Sequence, residues 1–277
     1  MKFLRKPRGR VPVLATVRAK HHVTPNMIRL TLHASSFADI APNSAGGHCK
    51  VILPAAGQDA KTFAVALAKG ERPVMRTYTV RNARPESEEI DIDFVDHGDE
   101  GPASAFAVSA KPGDVCGFAG PGAPKLTVFD ADWYLIAADM SALPVAAAAL
   151  EALPRDANGI AIFEITSEDD CQHINAPEGI EQHWLVHPNP HLHSDAQLEF
   201  LRNMEWPEGE VRTMIAGETG TVSALRLLTR GQRGVDRKKS YASGYWRIGL
   251  VEDEHQKVKR EETEADEKTL QQNMSVG

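Results

Sequence analysis

Val74-Met75-Arg76-Thr77-Tyr78-Thr79-Val80 decides how this chain is read. β-Branched and aromatic side chains between apolar flanks are the pattern of a strand. Arg76, Thr77, Tyr78 and Thr79 place four complementary binding functions along it. An arginine pairs with a pyrophosphate, an aromatic face covers a planar heterocycle, and adjacent hydroxyls hydrogen-bond that ring's redox-active edge. A flavin dinucleotide presents all of these features. The same tetrapeptide also fits an ordinary strand with an exposed arginine beside a cross-strand Tyr/Thr pair, so its neighbours must decide.

Downstream, Ile90-Asp91-Ile92-Asp93-Phe94-Val95 alternates as a strand and runs into Asp96-His97-Gly98-Asp99-Glu100-Gly101-Pro102-Ala103-Ser104. That second stretch reads as a loop opening a helix. Pro102 suits the first helical turn, where its missing N–H has no intrahelical partner to lose. The N–H groups of that turn, with the helix dipole, make an anion site suited to a flavin pyrophosphate. An ordinary capped helix is the alternative.

Strand signals fill the rest of the first half. Val11 to Val17 and Met27 to His33 form a pair around Thr24-Pro25-Asn26, followed by His48 to Leu53, Met75 to Val80, Ile90 to Val95 and Val115 to Ala119. Short strands at this spacing indicate a closed barrel or a sandwich. The period then changes. Trp133 to Ala138, Ile160 to Ile165, Trp184 to Val186 and Val211 to Ile215 are apolar strands alternating with helical stretches, the signature of a parallel sheet with crossover helices. The boundary is placed between Thr127 and Asp132, which gives domains at 1–129 and 130–250 and a charged tail at 251–277.

Further motifs complete the series: Pro112-Gly113-Asp114, Gly120-Pro121-Gly122 and Tyr241-Ala242-Ser243-Gly244-Tyr245-Trp246-Arg247. Taken with Arg76 to Thr79, His97-Gly98 and Gly101-Pro102-Ala103, they resemble in order and spacing the siderophore-interacting proteins. That family comprises FAD-containing ferric-chelate reductases of the ferredoxin–NADP reductase superfamily. The resemblance runs from about Val11 to Arg247 and implies an N-terminal antiparallel flavin-binding β-barrel, then a parallel α/β nucleotide-binding-like domain. Some members add a C-terminal helix. It further implies that Arg76, Thr77, Tyr78, Thr79, Asp93, Phe94, Val95, His97, Gly101, Pro102, Ala103, Ser104, Ser141, Ala142, Tyr245 and Trp246 bind non-covalent FAD. Tyr78 would stack on the isoalloxazine, Thr79 would address its N5 edge, and Arg76 with the Gly101 to Ser104 backbone would hold phosphates.

Ferric siderophores carry anionic oxygens, so a cationic pocket beside the flavin would attract them. Lys50, Lys125 and Arg247 are the substrate-binding candidates by their places among the motifs. No catalytic acid or base and no protein-ligated metal are expected, because the flavin carries the electron transfer and iron arrives chelated. His183, His187, His191 and His193 invite a metal reading, but Pro188 and Pro190 exclude helical ligand pairing and favour a surface loop.

The electron donor stays open between ferredoxin and NAD(P)H. Asp139-Met140-Ser141-Ala142-Leu143-Pro144 and Ala216-Gly217-Glu218-Thr219-Gly220 follow strands, where open α/β sheets bind ligands. Neither is a Gly-x-Gly-x-x-Gly fingerprint, and small residues also occur there for close packing. A helix is expected from Thr221 to Arg230. Glu252 to Lys268 is densely charged, with the pairs Asp253/Lys257 and Glu264/Lys268, and Val251, Val258 and Ala265 recur every seven residues. An exposed or docked helix and a frayed tail both fit.

Composition narrows the class. The 277 residues are 42% hydrophobic and 25% charged, ordinary for a soluble globular protein with two cores. A net charge of −7 disfavours nucleic acid as a partner. No apolar run approaches a membrane span, and no signal-peptide core follows the basic start, so a cytoplasmic protein is expected; a monomer is a separate expectation. Cys49, Cys116 and Cys171 are too widely spaced for a disulfide framework or cluster site. Two readings compete with siderophore reduction: a general NAD(P)H- or ferredoxin-linked flavin oxidoreductase with another acceptor, and a non-enzymatic iron-chelate binding protein.

Overall fold

The structure, a computed structural model, describes residues 12–55, 57–97 and 101–250. Its first half is a closed barrel of β1 (Val13–Thr24), β2 (Met27–His33), β3 (His48–Leu53), β4 (Val74–Arg84), β5 (Glu89–Val95) and β6 (Val115–Ala119). The strands neighbour one another in the order β1-β2-β5-β4-β3-β6, all antiparallel, and β6 returns to β1. Closure leaves no unpaired sheet edge. Alternation aims one face of each strand inward: Leu30 pairs with Ile92, Leu32 with Ile90 and Ile28 with Phe94, and all six are buried. Each such side chain stabilises the fold by about 1.5–3 kcal/mol relative to exposure.

β1 extends well past Val17, where the sequence reading ended it. Beyond Val17 its residues are mostly polar and water-facing, Arg18, His21 and His22 among them, and a register irregularity between Val17 and Ala19 breaks the alternation. Pairing with β2, rather than burial, maintains this half of the strand. A helix that periodicity did not indicate, α1 (Ala60–Ala68), starts at Asp59, whose carboxylate accepts Thr62 N at 2.9 Å and Thr62 Oγ1 at 2.7 Å. It packs Phe63 and Leu67 on Ile52. α2 (Pro102–Ser109) has Pro102 in its first turn, as its sequence indicates.

The second half is a parallel sheet of β7 (Trp133–Asp139), β8 (Asn158–Ile165), β9 (Gly179–Val186), β10 (Val211–Glu218) and β11 (Ser240–Trp246), in the order β11-β10-β7-β8-β9. The crossovers include α3 (Leu143–Ala152), α4 (Ala196–Asn203) and α5 (Thr219–Arg226). The chain leaves β7 toward opposite sides of the sheet, to β8 and later to β10, which creates a topological switch point at the carboxyl ends.

Two sequence assignments need correction here, and one strand is added. β9 begins at Gly179 rather than Trp184, so His183 belongs to a strand and only His187, His191 and His193 lie in the loop. α5 begins at Thr219 and gives way to a wider π turn over Leu227–Gln232 instead of running as one helix to Arg230. The Tyr241 to Trp246 motif is the last strand; its Ser and Gly content hides a strand that parallel pairing with β10 specifies. The expected C-terminal helix lies outside the described residues.

The barrel and sheet meet along a seam with polar and apolar parts. Asp170, fully buried, accepts Thr24 Oγ1 at 2.7 Å, Asn26 N at 3.0 Å, Asn26 Nδ2 at 2.8 Å and Thr166 Oγ1 at 2.9 Å. This ties the β1–β2 turn to the end of β8. Beside it Met27 packs on Met140 and Ile165. Farther along the seam, Arg81 of β4 holds Glu151 of α3 through two bonds of 2.6 and 2.8 Å. The alanines of α3 allow this approach, since Ala148 lies 3.5 Å from where a Cβ on Gly46 would stand. Among the described residues, no helix is long and apolar enough to cross a membrane.

Candidate functional site

One cavity of about 860 Å³ opens between barrel and sheet. Its volume lies within the roughly 300–1,000 Å³ of small-molecule and cofactor clefts. β3, β4, the end of β5 and the start of α2 form one wall. The carboxyl ends of β7, β8, β10 and β11 form the other.

On the barrel wall, Arg76, Thr77, Tyr78 and Thr79 all line the cavity. Phe94 does not line it; this residue is buried in the core, its ring 4.3 Å from that of Tyr78 at 44°. Phe94 therefore backs the tyrosine. Asp93 reaches the cavity, but its carboxylate is held by Arg29 at 2.6 and 2.7 Å, which commits it to the β2–β5 wall. Val95, His97, Gly101, Pro102, Ala103 and Ser104 follow along the same edge. No side chain caps the start of α2 at Gly101, and the Ser104 hydroxyl accepts His97 N at 3.3 Å. Backbone donors of a helix N-terminus thus meet the same cavity as a strand arginine and an aromatic ring, an arrangement that fits FAD.

The substrate candidates converge as well. Lys50, Lys125 and Arg247 all line the cavity, together with His48, which the sequence reading missed. Lys50 Nζ donates to Thr77 Oγ1 across the β3–β4 pair. Lys125 Nζ lies 3.3 Å from His48 Nδ1 and 6.0 Å from the centre of the Tyr241 ring. Burial lowers the Lys125 pKa. Burial, then Lys125 and Lys50, lowers that of His48 and favours a neutral imidazole beside two cations. Gly122 makes room for that ring, since a Cβ there would stand 2.1 Å from His48 Cε1.

The sheet wall has a different character. Of the residues expected there, Ser141, Tyr245 and Trp246 line the cavity, whereas Ala142 is fully buried and does not. The Tyr245 hydroxyl bonds to Thr79 and Tyr241, joining the two walls, and burial pushes its phenol pKa far up. Three neighbouring strands end in carboxylates: Glu164 on β8, Asp139 on β7 and Glu218 on β10. Asp139 Oδ1 accepts Ser141 N, Ser141 Oγ and Ala142 N at 2.9, 2.5 and 3.2 Å. Its Oδ2 accepts Glu218 N at 2.8 Å and Trp246 Nε1 at 2.7 Å. Burial raises the Asp139 pKa and these donors oppose the rise. Glu218 caps α5 through Thr221 N at 2.9 Å, and Glu164 accepts Ser194 Oγ at 2.6 Å. His187 and His191 also line the cavity, and among the described residues no His/Cys/Asp/Glu cluster is arranged to hold a metal ion.

Comparison with known proteins matches residues 16–125 to the siderophore-interacting FAD-binding domain and residues 131–249 to the siderophore-interacting protein family. Ferric vibriobactin reductase ViuB of Vibrio cholerae is 32% identical over 251 residues, covering 87% of this chain and 92% of that protein. The NADPH-dependent ferric-chelate reductase of Escherichia coli is 30% identical over 181 residues, covering 64% and 68% respectively. The crystal structure of the siderophore-interacting protein SipS from Aeromonas hydrophila superposes with a TM-score of 0.80 at 35% identity, covering 91% of this chain and 98% of that one. A ferredoxin-NADP+ reductase from Plasmodium falciparum shares the fold, with a TM-score of 0.59 at 14% identity over 84% of this chain and 96% of its own. The barrel, the parallel sheet and the motifs at their junction agree with these likenesses, and the chain belongs to the siderophore-interacting protein family.

Proposed function

We propose that this chain holds FAD non-covalently between barrel and sheet and, acting as a monomer in the cytoplasm, reduces Fe(III)-siderophore to Fe(II) with release of the iron. The observation that carries the reading is one cavity lined both by Arg76, Tyr78 and the start of α2 and by Lys50, Lys125 and Arg247. Relatives named as ferric vibriobactin and ferric-chelate reductases support an oxidoreductase. Bound FAD would supply the redox chemistry that links an electron donor to Fe(III).

The chain's residues bind and position. Arg76 pairs with phosphate oxygens that the N–H groups of Ala103 and Ser104 also address. Tyr78, backed by Phe94, covers the isoalloxazine face. Lys50 and Lys125, with Arg247 beyond the end of β11, draw the anionic chelate to the flavin, and His48, kept neutral, adds no third positive charge between Lys50 and Lys125. Ferrous iron has a lower charge for the same hard oxygen ligands, so the chelate loosens on reduction. No general acid or base of the protein is needed.

The test is anaerobic. Ferric siderophore added to the chemically reduced holoprotein should restore oxidised flavin absorbance and deliver Fe(II) to a ferrous-specific chelator. Reoxidation by oxygen or quinones but not by ferric siderophore would favour the general oxidoreductase, and a colourless protein that binds ferric chelates would be a carrier. Heat-released cofactor should chromatograph as FAD; FMN would contradict the phosphate role of the α2 start.

A further inference from the structure

We propose that Asp139 is a positioning residue that fixes the Trp246 indole and thereby holds Arg247 on the cavity wall that receives the anionic ferric chelate. The inference rests on the function proposed above and assigns a task to a residue that the sequence reading placed in a strand-end loop without giving it one.

β11 enters the site with an irregular end. Gly217 pairs with Gly244 but Glu218 pairs with Trp246, so Tyr245 is an extra residue, a bulge in a parallel pair. Bulges re-aim the side chains that follow them and are rare between parallel strands. Left to itself, such a strand end has no fixed direction. Asp139 supplies one, because its Oδ2 receives Trp246 Nε1 at 2.7 Å and Glu218 N at 2.8 Å, joining the ends of β7, β10 and β11 at one carboxylate. The other oxygen is anchored by Ser141 and Ala142 at the α3 start, so the carboxylate cannot swing. Backbone contacts complete the lacing. Thr219 Oγ1 donates to Trp246 O at 2.8 Å, and Ile248 N donates to Glu218 at 3.3 Å, which brackets Arg247 on both sides.

Both Asp139 oxygens are occupied by these partners, so the side chain is no partner for an anionic chelate. Its effect on the chelate runs through Trp246 and Arg247.

The experiment uses the FAD-loaded full chain with Asp139→Asn, Trp246→Phe, Arg247→Ala and the doubles that combine Arg247→Ala with each of the others. Trp246→Phe removes the same hydrogen bond from its far end and leaves the α3 and β10 caps intact, so the idea remains testable if Asp139→Asn fails to fold. Expected, with every variant saturated with FAD, are an altered tryptophan emission in Asp139→Asn and an anionic ferric-chelate Kd raised about three- to tenfold in each single variant. The doubles should be no weaker than Arg247→Ala alone, because coupled residues are not additive. Native chelate affinity in both Asp139→Asn and Trp246→Phe, or effects that multiply with Arg247→Ala, would overturn the proposal. A native protein that binds no ferric chelate at all would instead overturn the function on which it rests.

Discussion

The two walls of the cavity are built on opposite principles. The barrel wall gathers cations and an open helix start: Lys50, Arg76 and Lys125, with the neutral His48 among them, line the same cavity as the first turn of α2. The sheet wall places a carboxylate at the end of each of three adjacent strands, and these acids already accept hydrogen bonds from their own loops and helix starts. An anion therefore meets positive charge on one side and hydrogen-bonded carboxylates on the other. On the function proposed above, flavin phosphate belongs with the first wall and the ferric chelate lies between Lys50 and Lys125 of that wall and Arg247 of the second. The carboxylates of the second wall orient aromatic and cationic side chains rather than binding anions themselves.

Separating the walls should have the largest effect. Asp170→Ala leaves donors from Thr24, Asn26 and Thr166 without their buried acceptor, and a buried group left unsatisfied costs about 1–3 kcal/mol. A loss of about 3 kcal/mol in chemical denaturation is expected, with weaker flavin retention. A loss under about 0.5 kcal/mol, the scale of an ordinary surface substitution, would show that the seam does not depend on this network. Within the barrel wall, Arg76→Ala should lower flavin occupancy by removing a charge-assisted phosphate contact worth about 1.5–3 kcal/mol. Full occupancy in the purified variant would place the pyrophosphate elsewhere.

The smallest response is expected from the sheet wall. Asp139 and Glu218 already take up the N–H groups at the starts of α3 and α5, where a dinucleotide pyrophosphate would land. Direct reduction of the flavin by NADH or NADPH should accordingly be slow, and truncation after Val251 should leave that rate unchanged. The Escherichia coli relative, named for NADPH dependence, gives the contrary expectation. Rapid stopped-flow bleaching of the flavin by either nucleotide at micromolar concentration would break the contrast between the walls.

The same contrast explains what could be read from sequence. The barrel wall was legible because its groups lie on contiguous stretches, Arg76 to Thr79 and Gly101 to Ser104, whose local pattern already fixes strand and helix start. His48 was missed because its role depends on Lys125, distant in sequence, and on a glycine at position 122 that admits its ring. The sheet wall was legible only in part: Ser141, Tyr245, Trp246 and Arg247 were named from their motifs and line the cavity. Asp139, Glu164 and Glu218 are single carboxylates at three strand ends, and only the strand order brings them together. Phe94 and Ala142 sit beside true lining residues, but Phe94 points into the barrel core and Ala142 is buried at the α3 start. The polar half of β1 shows the converse limit: hydrogen bonding to a partner extended a strand that alternation could not reveal.

The most direct test of the account is the affinity of an anionic ferric siderophore for the FAD-loaded native protein and for Lys50→Ala, Lys125→Ala and Arg247→Ala, measured across a salt series with a neutral ferric chelate as control. Each substitution should weaken anionic-chelate binding by roughly 0.5–2 kcal/mol, the scale of partly solvated ion contacts, with Arg247 the largest and Lys125 the smallest. Flavin content should stay constant, the gaps should narrow as salt screens exposed charge over about 10 Å at 0.1 M, and the neutral chelate should respond little. If all three variants bind the anionic chelate as the native protein does, these cations do not form the substrate site and the general oxidoreductase reading replaces the one proposed.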